Sequence, residues 1–133
     1  MRRVFADTYY FLALVNPHDR AHGKATAFSA AWDVQIVTTE WVMAELGNTL
    51  SRAPGRRAFV GTLKNLLADP HSQIIPASGN LFRQGFDLYA SRLDKEWSMT
   101  DCISFVVMRE HGLLEALTAD RHFEQAGFKP LLA

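Results

Sequence analysis

With 133 residues, 48% of them hydrophobic and 21% charged, the chain has the composition of one globular domain and too little length for two complete hydrophobic cores. Fourteen Lys and Arg balance fourteen Asp and Glu, so no global field draws it to nucleic acid or an anionic membrane, and any charge-based function must be local. Its single cysteine, Cys102, can close no internal disulfide and sits in no paired metal motif, which points to a reducing compartment, the cytoplasm.

Short β-type runs alternate with segments of helical period, with no repeat, low-complexity tract or linker between them, which predicts one α/β domain over residues 1–133. Val4-Phe5-Ala6 reads as the first strand, and Asp7-Thr8 leads into a helix over Tyr9–Val15 that ends near Asn16-Pro17. That stretch is too short to cross a membrane, no other run approaches the ~20 apolar residues required, and no leader-type cleavage site follows it. A second helix fits His22–Ala31, ahead of the strand Val34-Gln35-Ile36-Val37. Thr38 or Thr39 can cap the next helix, in which Val42, Leu46, Thr49 and Leu50 share a face.

Ala53-Pro54-Gly55 breaks that helix, and Phe59, Leu63, Leu66 and Leu67 restart the period until Asp69-Pro70 stops it. Gln73-Ile74-Ile75-Pro76 predicts a third strand, after which Phe82, Phe86, Tyr89, Ala90 and Leu93 recur at helical intervals. A helix follows from about Ser98 to His111, with Gly112 as its stop. The chain closes with a fourth strand over Glu115–Thr118, a short helix near Arg121–Ala126 and a fifth strand over Lys129–Leu132. Five strands separated by helices imply a mostly parallel sheet covered on both faces.

The positions of four acids carry the functional reading. Ligands of open parallel sheets bind beyond the carboxyl ends of the strands, where strand order reverses. Asp7 directly follows the first strand and Asp120 lies just past the fourth, so the two share a crevice if those strands are neighbours. Glu45, at about 100° per residue, borders the apolar face of its helix more closely than Glu40 does. Asp101 stands in Ser98-x-x-Asp101, a capping-box spacing that puts it in the first turn of the helix carrying Ile103, Phe105, Val106 and Val107.

Each acid also has a structural reading: Asp101 as a cap, Asp7 as an N-cap, Glu45 as a solvated helix acid, Asp120 as a turn residue. Taken together, four carboxylates without basic partners would repel one another and would need protons or a cation to stay in one pocket. Carboxylate oxygens suit Mg²⁺ or Mn²⁺ and disfavour zinc, and such an ion can activate water and polarise a phosphodiester. Thr8 and Thr118 offer supporting hydroxyls beside Asp7 and Asp120, or are plain turn and strand threonines.

The stretches Val4-Phe5-Ala6-Asp7-Thr8, Thr39-Glu40-Trp41-Val42-Met43-Ala44-Glu45-Leu46, Trp97-Ser98-Met99-Thr100-Asp101-Cys102-Ile103-Ser104-Phe105 and Leu117-Thr118-Ala119-Asp120-Arg121-His122-Phe123 resemble the PIN-domain ribonucleases. Within them the likeness is to VapC-like toxins of type II toxin–antitoxin systems, and the tail Gln125-Ala126-Gly127-Phe128 with Leu131-Leu132 extends it over essentially the whole chain. The resemblance implies a three-layer α/β/α fold with a five-stranded sheet of order 3-2-1-4-5. It implies a Mg²⁺- or Mn²⁺-dependent endoribonuclease cutting single-stranded or loop RNA. Asp7, Asp101 and Glu45 would hold the ion directly, and Asp120 would complete the site or bind through water. It implies a small antitoxin protein whose tail lies over the crevice, with the helices at Thr38–Leu50 and Arg56–Leu67 expected to form the groove that receives it, and a homodimer.

RNA must approach an acidic crevice, so basic residues should rim it; Arg52, Arg56, Arg57, Lys64, Lys95, Arg121 and His122 are the candidates. Asp94 reads as a solvated ion-pair partner, His18 and His22 as surface histidines, and Trp41 and Trp97 as packing residues or bases' stacking partners. Rival readings are a stand-alone PIN nuclease, a catalytically silent PIN module that binds RNA or protein, and a phosphoacceptor receiver domain. The receiver lacks support, since Ile74-Ile75 is followed by Pro76 and Lys129 precedes the last strand's apolar residues.

Overall fold

The computed structural model describes residues 1–133. Its strands are β1 (Arg2–Ala6), β2 (Val34–Thr39), β3 (Ser72–Ile75), β4 (Glu115–Leu117) and β5 (Lys129–Pro130). All pair in parallel, in the order β3-β2-β1-β4-β5. Helices α1 (Thr8–Val15), α2 (His22–Ala30), α3 (Glu40–Thr49), α4 (Gly55–Ala68), α5 (Gly79–Ser91), α6 (Met99–Glu110) and α7 (Arg121–Gln125) complete a three-layer α/β/α fold. Val4, Phe5 and Ala6 of the central strand are wholly inaccessible, as a strand covered on both faces must be. The sheet runs from β1 through β2 to β3 on one side and from β1 through β4 to β5 on the other, so the switch point lies between β1 and β4. This order removes the receiver alternative, in which the first strand lies between the second and third.

Side-chain chemistry sets the helix limits. The Thr39 Oγ1 accepts the Val42 N–H at 3.1 Å to start α3, and the Ser78 Oγ accepts that of Leu81 at 3.1 Å to start α5. At the start of α6 the Ser98 hydroxyl takes the Asp101 N–H while the Asp101 carboxylate takes the Ser98 N–H, a full capping box. Gly112 ends α6 with φ of +65°, letting the Leu113 N–H return to the Met108 carbonyl at 2.8 Å. No helix is long and apolar enough to cross a membrane.

The core is densest around α6, whose Cys102, Ile103, Ser104, Phe105, Val107 and Met108 are all buried. Phe105 makes edge contacts with Trp97 and Phe123, at centroid distances of 5.1 and 4.9 Å, and lies 5.7 Å from Phe128. This cluster ties α6 to α7 and the chain end, each aromatic pair adding about 0.5–1.5 kcal/mol beyond its buried area. The α5 and α6 backbones meet at Gly85, where any Cβ would run into Ile103.

The structure departs from the sequence reading in several places. Thr49 is exposed, its hydroxyl turned back to the Glu45 carbonyl, and Met43 takes its place on the buried face of α3. In α5 the face against α6 is Leu81 and Gly85, so Phe82, Phe86 and Tyr89 are exposed and Leu93 lies beyond the helix. The close approach allowed by Gly85, rather than the bulky residues, decides which side packs. The fifth strand is shortened to Lys129–Pro130, although the Leu131 and Leu132 amides still donate to the Ala116 and Thr118 carbonyls.

Candidate active site

The register of β1 against β4 builds the centre of the site. Phe5 pairs with Ala116 and Ala6 with Leu117, so one step further Asp7 meets Thr118, whose hydroxyl donates to the Asp7 Oδ2 at 3.2 Å. The same hydroxyl accepts the Asp120 N–H at 3.0 Å and so holds both acids in relation to one another. From the other side Thr8, the first residue of α1, donates its hydroxyl to the Glu45 Oε1 at 2.6 Å. Asp101 enters from the first turn of α6. Thr118 thus joins Asp7 to Asp120 and Thr8 holds Glu45 at the carboxyl ends of the strands, while Asp101 and Glu45 reach Asp7 through their charges rather than through a hydrogen bond.

Burial makes this cluster costly. Asp7 and Asp101 are only 7% and 9% exposed, and Thr8 and Thr118 are buried beside them. Burial, reinforced by the Asp101 and Glu45 charges, pushes the Asp7 carboxyl from its ordinary 3.8 up to about 7, against the lowering pull of the Thr8 N–H and Thr118 hydroxyl. Burial also raises Asp101, with Asp120 adding to it, while the Ser98 N–H and His122 pull it down. No Lys or Arg pairs with any of the four acids; His122 alone stands within ion-pair distance of them.

Sequence reasoning placed His122 on the basic rim, and the structure corrects this. It is half-buried among the acids, its Nδ1 3.0 Å from the Asp101 Oδ2 and 3.5 Å from the Asp120 Oδ1. Its backbone N–H also donates to the Asp120 Oδ1 at 2.9 Å, because Asp120 is the N-cap of α7. The available signal was the Asp120-x-His122 spacing at a helix start. One donor atom each from Asp101, Asp120 and His122 fits within 4.8 Å, a spacing compatible with a metal ion.

The remaining candidates are dispersed. Arg52 and Arg56 lie exposed around the α3–α4 turn, where Arg56 donates to the Ser51 carbonyl, and Arg57 and Lys64 are exposed along α4. Lys95 sits half-buried, 3.9 Å from Asp94, while Asp94 is held chiefly by the Arg92 guanidinium at 3.0 and 3.1 Å. Arg121 is exposed and directly follows Asp120. His18 is exposed and the His22 Nδ1 lies 2.7 Å from the Ala13 carbonyl, so the two do not form a ligand pair. Trp97 is buried with its Nε1 donating to Gln125, and Trp41 packs on Phe82 at 5.9 Å.

Residues 4–129 match the family model described as PIN domain. The 23S rRNA-specific endonuclease VapC20 of Mycobacterium tuberculosis is 30% identical over 125 residues, spanning 94% of this chain and 95% of that protein. The crystal structure of VapC20, described as a Sarcin-Ricin loop cleaving toxin, superposes with a TM-score of 0.83 over 94% of this chain and 95% of its own. VapBC2 from Rickettsia felis, bound to a promoter DNA fragment, shares the fold at 14% identity and a TM-score of 0.68, each chain 96% covered. FitAcB from Neisseria gonorrhoeae does so at 16% identity and 0.64, with 96% of this chain and 95% of that one covered.

Proposed function

The chain belongs to the PIN domain family, and from that premise we propose that it is a single-domain endoribonuclease, the toxin of a toxin–antitoxin pair, with a Mg²⁺ or Mn²⁺ site formed by Asp7, Glu45, Asp101 and Asp120. The carrying observation is a buried Asp7 that feels the charges of Glu45 and Asp101 and shares the Thr118 hydroxyl with Asp120, with no Lys or Arg paired to any of the four. A divalent cation fits this donor set, because hard oxygen ligands select it and its charge offsets the burial cost and the repulsion that together raise the Asp7 carboxyl. When bound, such an ion supplies Lewis acidity toward a phosphodiester oxygen and offsets the charge that develops there. Asp7, Asp101 and Glu45 would hold it directly, with Asp120 completing the site.

The chain's own residues define the rest. Thr8 and Thr118 fix the carboxylates of Glu45 and Asp7 by donating to them. Arg121, next to Asp120, is the nearest of the proposed phosphate contacts in sequence, and Arg52, Arg56 and Lys95 are more remote ones. The name of the mycobacterial relative makes a loop of large-subunit ribosomal RNA the first substrate to test. An apolar groove between α3 and α4, with cavities near 380 and 390 Å³ lined by Met43, Ala44, Phe59 and Leu63 among others, supports a seat for a small antitoxin. The protein is proposed to act in the cytoplasm and as a homodimer.

The test is cleavage of structured ribosomal RNA with Mg²⁺ or Mn²⁺, against a chelator control and an identically purified, folded Asp7→Asn variant. Metal-dependent cleavage lost in the variant supports the reading. Absence of both cleavage and Mn²⁺ binding in well-folded protein would replace it with the silent binding module. A co-expression pull-down returning no small partner would remove the toxin assignment and leave the nuclease.

A further inference from the structure

We propose that His122 is a positioning residue of the acid site: its imidazole fixes which oxygen of Asp101 is free to bind a cation. The inference rests on the metal-site reading above. As a cation ligand Asp101 is ionised, and an ionised carboxylate only accepts hydrogen bonds, so in that state the His122 Nδ1, 3.0 Å from the Asp101 Oδ2, carries the hydrogen. The same Oδ2 already accepts the Ser98 N–H at 3.1 Å. Two donors therefore converge on one oxygen, and Oδ1 is the one left uncommitted. Without the imidazole, the capping bond alone would hold the carboxylate, free to rotate about it and to exchange its oxygens.

His122 is placed for this by its own backbone. Its N–H donates to the Asp120 Oδ1 at 2.9 Å, so the turn that caps α7 also sets the distance between the imidazole and Asp101. Phe123, the next residue, is wholly buried against Phe105, which anchors this turn to the helix that carries Asp101. The backbone bond survives any side-chain substitution at 122, so α7 should remain capped in the variants. Ring nitrogens held in this way by a neighbouring carboxylate, or holding it, set ligand orientation, and loss of such partners typically costs about 10–100-fold in metal affinity.

The test uses the full chain and Mn²⁺ alone. Calorimetric Mn²⁺ binding should weaken about 10–100-fold in His122→Ala. His122→Asn, whose amide nitrogen lies near the former Nδ1, should recover affinity to within a few-fold of wild type. Electron spin-echo spectra of bound Mn²⁺ in the wild type should show no directly coordinated nitrogen. Unchanged affinity in His122→Ala overturns the inference while leaving the metal site standing. A coordinated ¹⁴N signal also overturns it, making His122 a ligand. A wild-type protein that binds no Mn²⁺ brings down the metal-site reading itself, and this inference with it. Urea unfolding of both variants, expected near wild type, separates loss of positioning from loss of fold.

Discussion

The two ends of the sheet handle charge in opposite ways. At the amino ends of the strands Arg2 meets Glu115 through two bonds of 2.9 Å, and Arg3 is shared among Gln35, Gln73 and the His111 carbonyl. Both arginines and Glu115 there have partners, and water reaches them. At the carboxyl ends Asp7, Glu45, Asp101 and Asp120 gather with two of them buried and no Lys or Arg between them. A chain selected only for stability would treat both ends like the first. The second is held in place by the rest of the fold, at a cost that a proton on Asp7 relieves below about pH 7 and that the proposed cation would relieve above it.

Breaking the acidic end should give the largest effects. Asp7→Asn is expected to lower RNA cleavage by more than the about hundredfold that loss of an outer partner costs a metal site, measured as initial rates under saturating Mn²⁺ with folding verified by circular dichroism. The same substitution should stabilise the metal-free protein. The Asp7 carboxyl has an ordinary value of 3.8 when unfolded and about 7 when folded, so between those values the folded state keeps a proton that the unfolded state has released. Stability of the chelator-treated protein therefore falls as pH rises through that window, by up to about 4 kcal/mol, and does not recover above it. Urea unfolding in chelator at about pH 5 and about pH 8 should show this fall in wild type, a flatter profile in Asp7→Asn, and relief on adding Mn²⁺. A wild-type profile that rises with pH would contradict the assigned cause.

Smaller effects sharpen the contrast. Thr8→Val and Thr118→Val each remove one hydroxyl donated to a carboxylate and should slow cleavage about tenfold or more while costing about 1 kcal/mol in stability. Paired rate and unfolding measurements check that the rate loss exceeds what the stability change explains. At the opposite end Arg2→Met removes a bridge whose arginine side chain is 46% exposed. It should change stability by less than about 1 kcal/mol and leave cleavage alone, so an effect on cleavage there would erase the distinction between the ends.

Much of this contrast was legible in the sequence. Alternating strands and helices, a threonine cap at Thr38 or Thr39 and the Ser98-x-x-Asp101 box follow from local rules of spacing and hydrogen bonding, and the structure repeats them, with Thr39 as the cap. The strand order came from resemblance, because pairing in a parallel sheet is decided between segments far apart in the chain. Where packing partners decide the outcome, periodicity failed. Phe82, Phe86 and Tyr89 have helical spacing but face outward, since α5 meets α6 on the side of Gly85. His122 was legible as a cation and not as a neighbour of Asp101, because the contact joins residues 21 positions apart. The α3 face was assigned by angle alone, and Thr49 could satisfy its hydroxyl within its own helix and stay exposed.

The capping box at α6 bears on how this family is to be read across evolution. Asp101 both caps the helix that carries the densest part of the core and lies in the acid site. Should a descendant of this chain lose its nuclease activity, the capping bonds of Asp101 would still set a folding benefit against its burial cost, whereas Asp7, equally penalised by burial and making no side-chain cap, would have none and would be free to drift. The acid at position 7 is therefore the informative marker of a living enzyme, and the acid at position 101 can outlast the activity as a relic of the fold.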